Sequence, residues 1–416
     1  MEYRPRIIDK HINEQMRVSG AVLIEGCKWC GKTTTAKQHA KSLIEFQDPD
    51  RQDEYRRIVE TRPSLFLEGE KPRLFDEWQR YPVVWDSVRV DVDRTGQLGE
   101  YLLTGSARPK EDEIMHSGTG RIARVVMRTM SLYESGFSDG SVSLADIIAG
   151  KDIAATNETK LEDLADYCVW GGWPTVPGLE PELRPQVSVN YVNSVIHEEV
   201  RQSEKTERNY DKMQAVLKSI ARNVSTPVSI STIEQDTANL FGAGVSRTTA
   251  RDYLETLRKL FVVYDIPATT LSFRSKTAIR TTPKKELVDP SIATAVLGMS
   301  QADLIADLKT FGFVFECMAL RDLIAYSSGT GENLHYYRNA EDFEVDAILS
   351  LPNNKWGAVE IKLGAGQVEG AAKNLLKFRD MVQGAAPDFL MVLTGANYSY
   401  RRDDGVYVVS ISSLKD

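Results

Sequence analysis

The octet Gly26-Cys27-Lys28-Trp29-Cys30-Gly31-Lys32-Thr33 follows the short apolar run Ala21-Val22-Leu23-Ile24 almost directly. A buried strand running into this loop, with Thr34 to Ser42 continuing as a helix, is the GxxxxGK[ST] phosphate-binding arrangement. Gly26 and Gly31 let the backbone curl so that its N–H groups face an anion, where a Cβ would block the turn. Lys32 brings charge to the β- and γ-phosphates, and the Thr33 hydroxyl suits Mg²⁺. The positive end of the following helix faces the same anion. Residues Gly26 to Thr34 are therefore the expected nucleotide contacts, with ATP and Mg²⁺ as the cofactors.

Two apolar runs downstream complete the site. Arg73-Leu74-Phe75-Asp76-Glu77 has the form of a strand ending in two acids, Asp76 for Mg²⁺ through its water shell and Glu77 to polarise the attacking water. Glu100-Tyr101-Leu102-Leu103-Thr104-Gly105-Ser106 is another strand with hydroxyls at its C-terminal end, where open α/β sheets place ligands. Thr104 or Ser106 either senses the γ-phosphate or caps the strand. Among Arg108, Arg121, Arg124 and Arg128, Arg121, just after Gly120, is the chosen arginine-finger candidate, acting in cis or from a neighbouring subunit; a solvated basic face is the alternative. Cys27 and Cys30 form a CxxC. No second CxxC or HxxxH offers zinc another ligand pair, so they read as loop residues, with a redox dithiol as the alternative.

The chain has 416 residues, enough for two or three domains. Hydrophobic residues at 42%, charged residues at 26% and a mean hydropathy of -0.31 exclude a disordered chain. Net charge is -8, so any nucleic-acid contact must rest on a local patch. Four scattered cysteines argue against a disulfide framework. With no apolar signal core and no run long enough to span a bilayer, the expectation is a cytoplasmic protein without membrane contact.

Leu23 to Thr33, Leu74 to Gln79 and Leu102-Leu103-Thr104-Gly105-Ser106 together resemble the AAA-like P-loop ATPases of bacteria and archaea that carry a long C-terminal domain of unknown function. Gly120-Arg121 followed by Met130-Ser131-Leu132-Tyr133-Glu134 is similar to a segment of the same family. The resemblance implies a sheet in which the strand ending at Thr104 lies between the P-loop strand and the acid-bearing one. Cysteines within the loop depart from the family pattern. Trp170-Gly171-Gly172-Trp173-Pro174 resembles a Gly-Gly-aromatic-Pro signature between the two halves of these proteins, and by its residues reads as a packed turn.

From Ile230 to Leu260 the pattern is helix, Gly-containing turn with Gly242 and Gly244, then helix. Ser231 and Ser246 are the expected N-caps, and Arg247, Arg251, Arg258 and Lys259 lie along the second helix. Phe261-Val262-Val263-Tyr264 would open the wing of a winged helix-turn-helix. Arg274, Lys276, Arg280, Lys284 and Lys285 follow without an acid between Leu271 and Lys285, a patch suited to DNA or RNA phosphates. Helix-turn-helix folds also make protein contacts, and both readings stand.

Three features mark the last third. Glu316 sits near the start of a helix; Glu344-Val345-Asp346 is an alternating strand; Ala358-Val359-Glu360-Ile361-Lys362 is a second strand with Glu360 and Lys362 on one face. A turn at Leu351-Pro352-Asn353-Asn354 would make the two strands a hairpin. This order resembles the PD-(D/E)xK nuclease superfamily. The resemblance implies Asp346, Glu360 and Glu316 as Mg²⁺ ligands and Lys362 as the catalytic lysine. An inactive fold whose acids serve as a solvated or salt-bridged strand face is the alternative.

The expected architecture is α/β: an AAA-like P-loop ATPase over 1–155, a helical linker over 156–225, a winged helix-turn-helix over 226–290 and a restriction-endonuclease-like domain over 291–416. The expected function is Mg²⁺-dependent ATP hydrolysis, with Lys32 and Glu77 catalytic, coupled to nucleic-acid recognition or cleavage. The alternative is an ATP-dependent signalling or scaffold switch. A homo-oligomer is compatible with either.

Overall fold

The computed structural model describes residues 3–106, 118–202, 210–269, 282–327, 333–339 and 341–416. It divides into two compact units, the first built on Met1–Arg128 and the second beginning at Thr129. The boundary therefore lies earlier than 155. Thr129 and Met130 already bond within the second unit: the Thr129 hydroxyl donates to the Val288 carbonyl at 3.3 Å and the Met130 N–H to the Gly172 carbonyl at 2.6 Å.

The first unit contains α1 (Ile8–Met16), β1 (Ala21–Gly26), α2 (Lys32–His39), β2 (Ser42–Glu45), α3 (Gln52–Thr61), β3 (Arg73–Asp76), α4 (Val83–Thr95), β4 (Tyr101–Gly105) and β5 (Ile122–Met127). Every residue of β1 is buried, as expected of a central parallel strand covered on both faces. The sheet is wholly parallel in the order β2-β3-β4-β1-β5, so β4 lies between β1 and β3 as the resemblance implied. The register brings Gly26, Asp76 and Thr104 to one end of the sheet. Aromatic packing fills one face: Phe46 meets Phe66 edge-on at 5.2 Å, and Trp78 stacks on Trp85 at 4.9 Å.

The second unit begins with α5 (Leu132–Ser135), β6 (Val142–Ser143), α6 (Leu144–Ile148), β7 (Ala154–Thr156), α7 (Leu161–Trp170) and α8 (Arg184–Gln202). Next come α9 (Tyr210–Arg222), α10 (Ile230–Asn239), α11 (Arg247–Lys259), β8 (Val263–Ile266), β9 (Ala268–Thr269) and β10 (Lys284–Leu287). Then follow α12 (Pro290–Leu297), α13 (Gln301–Ala306), α14 (Leu308–Ser327), β11 (Leu334–Arg338), β12 (Glu344–Ser350) and β13 (Trp356–Lys362). The chain ends with α15 (Val368–Met381), β14 (Phe389–Thr394), β15 (Tyr398–Arg401), β16 (Tyr407–Ser410) and β17 (Leu414–Lys415).

An eight-stranded mixed sheet, β7-β15-β16-β14-β13-β12-β11-β9, organises this unit. β12 and β13 form the expected antiparallel hairpin, with Asn353 and Asn354 in the left-handed region at the turn. Three helices, α9 to α11, precede the antiparallel pair β8–β10. Gly242 and Gly244 take positive φ in the connecting turn, as expected. The cap of α10 is Ser229, not Ser231, because the Ser229 hydroxyl accepts from the Thr232 N–H at 3.1 Å. Ser246 caps α11 by accepting from the Thr249 N–H at 3.3 Å.

The Trp170–Pro174 turn is packed for a definite reason. A Cβ on Gly172 would lie 2.0 Å from the Met130 carbonyl oxygen, and one on Gly171, at φ 72°, would strike Asp289 and Ser291 at 2.3 Å. The Gly172 N–H donates to Asp289 Oδ2 at 2.8 Å. That same oxygen accepts from Arg321 Nη1 at 3.1 Å, while Arg321 Nε donates to Asp322 Oδ1 at 2.8 Å. The Leu132 N–H donates to Asp322 Oδ2 at 3.0 Å. The Met130–Glu134 and Gly-Gly-aromatic-Pro segments are thus tied to one buried Asp-Arg-Asp triad.

Candidate functional site

The phosphate loop is shaped by two glycines at which other residues would fail. Gly26 has φ 156°, and a Cβ there would lie 2.1 Å from the Met127 carbonyl oxygen on β5. Gly31, at φ 101°, opens α2 from the left-handed region. Lys32 is buried, and its Nζ donates to the carbonyls of Gly26 at 3.0 Å and Cys27 at 2.8 Å, which places the ammonium inside the loop. Trp29 and Thr34 are exposed and Lys28 half-buried.

Three hydroxyl and carboxylate groups meet at the sheet end. Thr33 Oγ1 and Thr104 Oγ1 each donate to Asp76 Oδ1 at 2.6 Å, and Gln47 Nε2 donates to Asp76 Oδ2 at 3.3 Å. Glu77 adopts φ 55°, ψ 48°, a left-handed conformation uncommon outside glycine. Its N–H donates to Thr104 Oγ1 at 3.2 Å, so one hydroxyl orients both acids. Ser106 Oγ and Gln79 Nε2 donate to Glu77 Oε2 at 3.1 and 2.5 Å.

Cys27 and Cys30 are wholly buried free thiols. A hydrogen bond from Cys27, together with the charges of Lys32 and Arg6, outweighs burial and draws the Cys30 thiol down to about 6. Arg6 has no signature in the sequence. Its guanidinium nevertheless joins the loop to β5, donating to the carbonyls of Cys30 and Arg128, both at 2.9 Å.

The structure corrects the arginine-finger assignment within one chain. Arg121 precedes β5, whose first residue, Ile122, pairs with Ala21, so it lies at the end of the sheet opposite the loop. Its Nε donates to Asp93 Oδ1 at 2.6 Å. Arg124 pairs with Glu25 at 3.2 Å, and Arg108 falls outside the described residues.

In the second unit the tertiary fold brings together all four residues of the nuclease-like pattern. Lys362 Nζ lies 2.8 Å from Asp346 Oδ2 and 2.6 Å from Glu360 Oε2. Asp346 Oδ2 also accepts from the Ile361 N–H at 2.7 Å. Asn374, on α15, donates to Glu360 Oε1 at 2.5 Å and to the Glu344 carbonyl at 2.8 Å. Glu316 pairs with Lys284 at 2.8 Å, and Lys284 also meets Glu344 at 2.7 Å. Burial, and then the Asp346 charge, pushes Glu360 up to about 8; burial likewise pushes Glu316 up to about 7. Asp346 is held low because Lys362 and Lys284 outweigh its burial.

Among the described residues, no group of three or more His, Cys, Asp or Glu side chains is arranged to hold a metal ion. In this arrangement Lys362 lies against both Asp346 and Glu360, and Lys284 against Glu316, so ammonium groups take up carboxylate oxygens that a shared Mg²⁺ would need. The basic patch is corrected for the same reason. Lys284 is buried among acids, and Lys285 is buried beside Asp265 at 3.4 Å. Of the remainder, Arg274, Lys276 and Arg280 lie outside the described residues; Arg247 is exposed on an ion pair with Glu234 at 2.7 Å, and Arg251 is exposed. No helix among the described residues is long and apolar enough to cross a membrane.

Residues 18–136 match a family model described as an AAA domain. Residues 161–303 and 311–414 match two domains of unknown function, DUF8612 and DUF4143. The first of these spans both the expected linker and the helix-turn-helix region. Uncharacterized proteins of Mycobacterium tuberculosis and Mycobacterium bovis are each 24% identical over 345 residues, covering 82% of this chain and 70% of theirs. Among solved structures, a Walker-type ATPase of Pyrococcus abyssi is similar with a TM-score of 0.44 and 14% identity, over 71% of this chain and 99% of that one. The ORC2 protein of Aeropyrum pernix gives a TM-score of 0.33 and 12% identity over 73% of this chain and 96% of its own. The loop, the parallel sheet and the paired acids all lie within or beside the segment 18–136, and they accord with the AAA domain description that this segment matches.

Proposed function

We propose that this chain is a cytoplasmic Mg²⁺-dependent ATPase whose second unit recognises nucleic acid. The observation that carries the ATPase reading is the convergence of the Thr33 and Thr104 hydroxyls on one oxygen of Asp76, with Lys32 held inside the loop. Hydroxyl and carboxylate oxygens form a donor set that suits a hard cation, so Thr33 and Asp76 are the residues that would hold Mg²⁺. Bound there, the ion would offset charge on the phosphates. Lys32 and the loop N–H groups bind the β- and γ-phosphates, and Glu77, steadied by Ser106 and Gln79, orients the attacking water.

Support for nucleic-acid recognition is the order of three helices and an antiparallel pair, which suits a winged helix-turn-helix, with Arg247 and Arg251 exposed on its last helix. Recognition is favoured over cleavage because lysines neutralise the acids of the nuclease-like cluster. If Arg121 serves the transition state, it does so at the loop of another copy, because in its own chain it lies at the opposite end of the sheet, and such a role would go with a homo-oligomer.

The test is phosphate release by wild type and Lys32→Ala, each with and without duplex DNA and single-stranded RNA. Turnover by wild type alone, stimulated by one nucleic acid and weakened as salt rises, is the expected result. Equal rates for the two proteins would overturn the ATPase reading, and absence of binding at low salt the nucleic-acid reading.

A further inference from the structure

Four carboxylates, those of Glu316 on α14, Glu344 and Asp346 on β12 and Glu360 on β13, are each paired with one of two lysines. Lys284 enters the cluster from β10, a strand of the separate two-stranded pair, with its side chain only 1% exposed. Its Nζ bridges Glu316 at 2.8 Å and Glu344 at 2.7 Å, just as Lys362 bridges Asp346 and Glu360. Burying an ammonium is costly unless it is paired, and Lys284 is paired twice. Burial by itself would favour the neutral amine; Glu316, Asp346 and Glu344 outweigh it and hold the lysine charged.

We propose that Lys284 is the resident cation of this cluster, taking the charge-neutralising place of a divalent ion, so that the native chain binds no Mg²⁺ or Mn²⁺ there. The inference stands apart from the ATPase reading, because the ions of the phosphate loop are held by other residues. It makes the cluster a closed ionic joint between β10 and the large sheet. It also gives a definite cost to withdrawing Lys284, since two carboxylates would lose their counter-charge in a buried setting.

The experiment is a Mn²⁺ titration of the full chain without nucleotide, reading free Mn²⁺ by electron paramagnetic resonance. Wild type, Asp346→Asn, Lys284→Met, Lys284→Arg and the double variant Lys284→Met/Asp346→Asn are compared. Methionine keeps an unbranched side chain, one atom shorter, and removes the ammonium with its charge and donors. Wild type, Asp346→Asn and Lys284→Arg are expected to bind the same amount of Mn²⁺. Lys284→Met should gain one further ion, which the double variant loses. Wild-type binding that disappears in Asp346→Asn overturns the proposal, as does a natively folded Lys284→Met that gains nothing. Should Lys284→Met not fold, equal binding by wild type, Asp346→Asn and Lys284→Arg upholds exclusion, and any loss in Asp346→Asn rejects it.

Discussion

The Thr33 hydroxyl, in the first turn of α2, donates to Asp76 Oδ1 at the end of β3 over 2.6 Å, although 43 positions separate the two in sequence. The bond gives Asp76 a fixed orientation toward the loop, and Thr104 reinforces it from β4. Asp76→Asn retains the shape and removes the charge. The Mg²⁺ requirement for phosphate release should then move to higher concentration, by about 10- to 100-fold if Asp76 acts through the metal's water shell. An unchanged Mg²⁺ titration would separate Asp76 from the metal.

Glu77→Gln addresses the water-activating role. The amide cannot take a proton, so turnover should fall by roughly 100-fold or more while nucleotide still binds. Phosphate release and titration with a fluorescent nucleotide measure the two quantities separately. Retained turnover would instead identify a binding switch in which Glu77 does no chemistry.

Arg321 is the charge whose loss the second unit should tolerate least. Arg321→Met would leave Asp289 and Asp322 buried with no guanidinium between them, at a cost of about 3–5 kcal/mol. Arg247→Ala, which removes an exposed partner of Glu234, should cost no more than about 1 kcal/mol. Urea unfolding of both variants checks the contrast; equal midpoints would mean that the buried triad contributes nothing.

Glu286 gives stability a dependence on pH. Burial, with the nearby Glu316 charge, pushes its carboxyl up from 4.5 to about 8, partly offset by Lys284 and by a 3.3 Å hydrogen bond from Ser225. Between these values the unfolded chain releases a proton that the folded chain keeps. This group's contribution is therefore complete below about 4.5, falls as pH rises and levels off above about 8. Glu286→Gln removes that slope. Its stability relative to wild type should rise between pH 5 and pH 8 by something on the order of a few kcal/mol. Unfolding midpoints at the two pH values decide the matter, and a difference independent of pH would show that Glu286 is ionised in the fold.

The geometry of the candidate nucleotide site was largely legible because its residues are set by local pattern. Gly26, Gly31, Lys32 and Thr33 occupy one loop, and Asp76, Glu77 and Thr104 each end an apolar run whose direction a parallel sheet fixes. Arg121 was misplaced for the same geometric reason. It stands next to Gly120 in the chain, but parallel register assigns it to the start of β5, away from the loop. Gln79 and Arg6 carried no signal beyond their polarity, since their roles depend on atoms that only folding brings near.

Sequence alone determined the phosphate loop, the parallel core around it, the β12–β13 hairpin and the meeting of Glu360 with Lys362, because strand period and turn chemistry act over a few residues. Tertiary structure decided which charges are buried. A count along the chain made Lys284 and Lys285 part of a basic patch, whereas the fold turned one toward Glu316 and Glu344 and the other toward Asp265. Whether a lysine meets a phosphate or an internal carboxylate depends on desolvation and on partners distant in sequence, and neither is written in the residues beside it.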